Sequence, residues 1–175
     1  MNKKAEYKLR LLEDSRRKML EGLASAAPQK LNTPPEPGKW SVAQIIYHLN
    51  KAESNSVIYV GKKMKDIHNI KNTGVWAQFK TWALNFALLL PLKYKAPKVL
   101  GDMPPGVDYN DIIAQWDETR KSLAELIATL PEDMLGKNIF KQPAAGRLNI
   151  YQMLDFMQAH FNRHAKQIRR IVEEN

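Results

Sequence analysis

Two histidines, His160 and His164, stand four residues apart in the stretch NIYQMLDFMQAHFNRHAKQIRRI, Asn149–Ile171. At about 100° per residue this stretch reads as one long helix. Ile150, Met153, Leu154, Met157, Phe161, Ile168 and Ile171 form an apolar stripe on it. Asp155, Gln158, Asn162, Lys166, Arg169 and Arg170 take the opposite side. The two histidines lie about 40° apart on this projection. They flank the direction of Met153 and Ile171, so both point into the expected core. Side chains at i and i+4 are neighbours on a helix, a spacing that suits one metal ion. The same spacing fits two inward histidines that hydrogen-bond to core neighbours.

A third histidine faces inward from another helix. Ser41 followed by Gln44 is a capping box, and Trp40 against Ile45 is a hydrophobic staple, so a helix opens at Trp40-Ser41. The same device recurs where Asn149 precedes Gln152 and Leu148 precedes Met153. On the earlier helix Ile45, Leu49, Ala52, Ser56 and Tyr59 form the inward side. His48 points with them, and Gln44 and Asn55 lie at the edge. Three neutral imidazoles bind zinc, nickel or a similar divalent ion, and three protein ligands leave one position open, as in catalytic sites. Such an ion lowers the pKa of a bound water to about 7, or it holds an exogenous thiolate. Spacing does not choose between these. Glu53 and Asp155 are expected to face away, so no carboxylate base is evident. Gln44, Asn55, Tyr59 and Gln167 are candidates to orient ligands or substrate. Arg163 or Arg16 is a candidate to hold an anionic group, although Arg16 can also snorkel outward.

These side chains need a scaffold. A first helix is expected from Lys4 to Leu23, with Leu9, Leu12, Met19 and Leu23 inward and Arg16 on the same row. The proline-rich segment Ser25–Lys39 is expected to be a non-helical connection. The second helix is expected to fray near Gly61. An apolar helical insert, Val75–Leu90, then precedes a loop punctuated by Pro91, Pro97, Pro104 and Pro105. That insert reads as core, lid or dimer face, and His68 before it as exposed. A third helix starts after Asp108 and stops before Pro131, with Ile112, Trp116, Thr119, Leu123, Leu126 and Leu130 at bundle spacing. A short β-like run follows at Asn138–Gln142. The expected fold class is all-α: a four-helix bundle with a long helical crossover insert between helices two and three.

The 175 residues suit one domain, 1–175. A hydrophobic content of 44% excludes a disordered chain. The absence of cysteine excludes disulfides, thiolate ligands and a cysteine nucleophile. The opening MNKKAEYKLRLLEDSRRK has no apolar signal-peptide region. The most apolar stretch, Val75–Leu92, contains Gln78, Lys80 and Asn85 and ends at a proline, a poor match to the ~20 apolar residues of a spanning helix. A cytoplasmic protein without membrane contact is expected. The formal charge of +9 gathers in Lys3/Lys4, Arg16–Lys18, Lys62–Lys65, Lys93–Lys98 and Arg163–Arg170. These read first as solvated helix faces, then as a field for an anionic substrate. Motifs for reading DNA and the aromatic-basic interleaving of single-strand binders are missing, so nucleic acid is not the expected partner. Nor is there a phosphate loop or a nucleophile elbow.

WSVAQIIYHL at Trp40–Leu49 resembles the second-helix signature of the DinB-like superfamily, which includes metal-dependent hydrolases and bacillithiol S-transferases. GRLNIYQMLDFMQAHFNRHAKQIRRI at Gly146–Ile171 resembles its last helix. LKYKAPKVL and YNDIIAQWDETR also look like one branch of it, so the resemblance spans nearly the whole chain. It implies a four-helix bundle with a divalent metal, zinc or nickel, on His48, His160 and His164. It also implies a small-molecule substrate and, most plausibly, transfer of a low-molecular-weight thiol to an electrophile. Metal-dependent hydrolysis is the alternative, and a non-catalytic binding or scaffold protein with a basic surface is the third reading. Homodimers are common among the relatives. Members of the branch often read His-Pro where this chain has Gln142-Pro143.

Overall fold

The computed structural model describes residues 2–65, 79 and 103–173. The expected insert helix, Val75–Leu90, and His68 lie outside the described residues. Four long helices carry the fold: α1 (Lys3–Leu23), α3 (Val42–Met64), α4 (Tyr109–Thr129) and α5 (Ile150–Glu173). A one-turn helix α2 (Pro28–Asn32) follows α1, and a 3₁₀ turn (Glu132–Met134) follows α4. Strands β1 (Phe140–Gln142) and β2 (Gly146–Leu148) form a small antiparallel hairpin before α5, with Phe140 paired to Leu148. The architecture is the expected all-α four-helix bundle. α3 packs against both α4 and α5, and α1 lies along α5.

The start of each of the four long helices is fixed by a side chain. Asn2 accepts from the Lys4 amide, and Asp108 accepts from the amides of Asn110 and Asp111. The Ser41–Gln44 box closes in both directions at 3.0 and 3.1 Å, and Asn149–Gln152 does so at 3.0 and 2.9 Å. Caps of this kind satisfy backbone donors that a helix leaves open, at about 1 kcal/mol each. The last helix is also placed by the hairpin. Gln142 Oε1 accepts from the amides of Ala144 and Ala145, and Gly146 takes φ +83° to turn the chain. That left-handed conformation suits glycine. A buried glutamine therefore holds the turn.

Several expectations need correction. Ser25–Lys39 is not wholly irregular: Pro28 opens α2, a position where its missing amide costs nothing. Helix α3 does not fray at Gly61 but continues to Met64. On α4 the inward position falls to Arg120 rather than Thr119, and to Ile127 more than Leu126. Arg120 is tolerated there because Glu53 meets it from α3. The Glu53 carboxylate, 3% exposed, accepts from Arg120 Nε at 2.7 Å and Nη2 at 3.0 Å, and from the Trp116 indole at 2.8 Å. The expectation that Glu53 faces away from the core is thus also corrected: it points into the α3–α4 interface, where its oxygens are taken by Arg120 and Trp116.

Arg16 is buried too. It binds Glu13, and Asp117 at 2.5 Å, while Arg120 reaches Glu13 at 3.3 Å. The two guanidinium groups lie over the Trp116 ring at 5.5 and 5.3 Å. Arg16 thus neither snorkels nor ligates an anion; its donors are used in joining α1 to α4. Among the described residues no helix is long and apolar enough to cross a membrane.

Breaking one side of a buried ion pair leaves an uncompensated charge and costs roughly 3–5 kcal/mol. Glu53→Leu should lower the urea midpoint accordingly, and the Glu53→Leu/Arg120→Met double variant should recover most of the loss. Equal loss in the two variants would show that the carboxylate is not the partner that makes Arg120 tolerable.

Candidate metal centre

α3 and α5 bring His48, His160 and His164 into one cluster. One ring nitrogen from each lies within 4.8 Å of the others. The Nε2 atoms of His48 and His160 are 3.1 Å apart. The rings meet edge to face, with centroids 5.0 Å apart for His48 and His160, 4.9 Å for His48 and His164, and 4.8 Å for His160 and His164. His48 and His164 are buried, and His160 is half-buried.

Neighbouring side chains set the rings. Trp40, the staple of α3, lies 5.3 Å from His48 at a 42° tilt. Phe156, one turn before His160, stacks on it at 5.5 Å and 9°. Phe156 stands four residues before His160, a spacing already visible in the sequence that places the two side chains on one face. Gln167 Oε1 lies 3.0 Å from His164 Nδ1. Among the described residues, the hydrogen bonds and ring contacts of Gln44 and Tyr59 lead away from the cluster. Gln44 spends its oxygen on the Ser41 amide and donates through Nε2 to the Pro104 carbonyl at 2.9 Å. Its role is to fasten the chain that leads into α4. Tyr59 packs edge-on against Phe140 at 6.2 Å. Asn55 is half-buried on α3. Arg163, half-buried between the two α5 histidines, acts on the site through its charge.

Burial pushes His48 down to about 4, with help from the charge that His164 would carry. Burial likewise pushes His164 to about 4, opposed by its Gln167 hydrogen bond and assisted by Arg163. Burial holds His160 well below the ordinary range, reinforced by His164, His48 and Arg163. All three rings are therefore neutral at pH 7, the form with a lone pair to donate. The donor set fits a divalent ion. Two imidazoles bound at ~2.0–2.1 Å around a tetrahedral ion have nitrogens about 3.3 Å apart, close to the 3.1 Å between His48 and His160, while the full set of three spreads over as much as 4.8 Å and would have to draw together around an ion. Without an ion, two neutral Nε2 atoms at that distance need one proton between them. The contact thus carries a single N–H, which must leave Nε2 if both nitrogens are to serve as ligands.

Comparison with known proteins gives a family and a fold. The family model described as the DinB superfamily matches residues 11–168. The uncharacterized protein YuaE of Bacillus subtilis (strain 168) is 24% identical over 164 residues, covering 94% of this chain and 96% of that protein. Among solved structures, the four-helix bundle protein TT2238 superposes with a TM-score of 0.58 at 19% identity, over 94% of this chain and 98% of the other.

The lowered histidines tie stability to pH. Their folded pKa values lie below the unfolded value of about 6.5, so the unfolded chain binds more protons between pH 6.5 and about 4. The metal-free protein should be fully stabilised above pH 6.5 and lose stability as pH falls to about 4. The loss is on the order of 3 kcal/mol for each histidine shifted to about 4. Urea unfolding across this range should show the loss, and a His48→Leu/His160→Leu/His164→Leu variant should show a distinctly flatter profile. An unchanged profile would mean that the three rings are not buried neutral.

Proposed function

The chain belongs to the DinB superfamily, and on that premise we propose that it is a metal-dependent enzyme that transfers a low-molecular-weight thiol to a small electrophile. The observation that carries this reading is the convergence of three neutral imidazoles from two helices on one point. His48, His160 and His164 would hold the ion, zinc or nickel. When bound, such an ion supplies Lewis acidity and an open coordination position.

The protein's own groups favour a thiol over water as nucleophile. Among the described residues the cluster contains histidines and no carboxylate. Free water has a pKa near 15.7 and would depend on the ion to bring it to about 7, whereas a thiol already ionises near 8.5 before any ion acts on it. The positive charge of Arg163, felt by both His160 and His164, favours an anionic thiolate in the same place. The absence of cysteine from the chain fits a thiol supplied by a cosubstrate. On this reading the protein works in the cytoplasm, as a homodimer, on small molecules.

Turnover of a chloro-dinitro-aromatic electrophile tests the proposal. Chloride release should require both added zinc or nickel and added thiol, and should fall at least 100-fold in His48→Ala and in His160→Ala. Metal-dependent turnover without thiol would turn the reading to hydrolysis. Turnover indifferent to metal and to both substitutions would remove the three-histidine mechanism.

A further inference from the structure

The three imidazoles differ in what stands behind them. Trp40 and Phe156 pack on His48 and His160 through their rings, and those two histidines share one contact through their Nε2 atoms. Only His164 has a polar side chain against its second nitrogen among the contacts described: Gln167, one turn later on α5, with Oε1 at 3.0 Å from Nδ1. An amide oxygen accepts and cannot donate. With the oxygen facing the ring, His164 must carry its proton on Nδ1 and leave the Nε2 lone pair free.

We propose that Gln167 is a positioning residue that fixes the His164 tautomer, so that its Nε2 lone pair is presented to the cluster before any ion arrives. Gln167 is itself exposed, so it contributes little to the core, and its placement serves the ring it touches. The i, i+3 spacing holds both groups on one turn of a capped helix, which makes the hydrogen bond local and independent of loop geometry. An amide turned the other way would donate to Nδ1, move the proton to Nε2 and remove that lone pair. The orientation of one amide thus decides whether the cluster offers its third donor. The tautomer part of the inference stands without a metal, and only its consequence for affinity rests on the proposed metal site.

Long-range ¹H–¹⁵N NMR of the metal-free protein reads the tautomer directly. His164 should be the Nδ1–H form in the wild type, shift toward Nε2–H in Gln167→Leu, and return to Nδ1–H in Gln167→Glu, whose carboxylate also accepts. Zinc affinity, measured by competition with a chelator, should fall about 10–100-fold in Gln167→Leu and recover in Gln167→Glu. A wild-type His164 in the Nε2–H form, or an Nδ1–H form that survives Gln167→Leu, would overturn the assignment. Tautomers that follow Gln167 in a protein that takes up no zinc would uphold it while removing the metal reading.

Discussion

The contact between His48 and His160, Nε2 to Nε2 at 3.1 Å, joins residues 112 positions apart on two different helices. It exists only if α3 and α5 hold one relative rotation and one register. A slip of one residue turns a helical side chain by about 100° and would carry either ring out of the cluster. Neutrality adds a second demand. Three imidazoles this close cannot all be charged, so the site depends on burial to keep the rings unprotonated.

The remainder of the fold answers those two demands. Reciprocal capping boxes fix where α3 and α5 begin, and the hairpin held by Gln142 sets the height at which α5 enters. On its far side α3 is held by Glu53, whose two oxygens take three hydrogen bonds from α4. Trp116, which supplies one of them, also packs against Phe161 beside His160, with ring centroids 6.2 Å apart. One buried indole therefore contacts both histidine helices. A buried ion pair is weak support for stability against an apolar replacement, but its directional bonds admit few alternative registers. That property is what a convergent site needs. α1 adds to α5 through an ion pair between Lys8 and Asp155 and a hydrogen bond from Gln158 to Ser15 at 3.1 Å.

The histidine triad was legible in the sequence because it depends on information local to each helix. A capping box announces the start, the apolar stripe gives the rotation, and His48, His160 and His164 then point inward without knowledge of the partner. Gln167 was visible for the same reason, being one turn from His164. The Glu53–Arg120 pair was not. Each residue taken alone is a charge at the edge of its own helix, and only adjacency of α3 and α4 turns the two into buried partners. Arg16 was misread likewise, since Asp117 lies on a helix that the sequence of α1 does not reveal. Gln44 stood at the right angle to serve the site, but its oxygen was already engaged by its own cap.

The most direct test of the account is calorimetric titration of untagged, chelator-treated protein with zinc and with nickel. One ion bound per chain, with uptake lost in the His160→Ala/His164→Ala variant, is the result the geometry requires. Failure of the wild-type protein to bind either ion would contradict it, and the three histidines would then be buried core residues with no metal to hold.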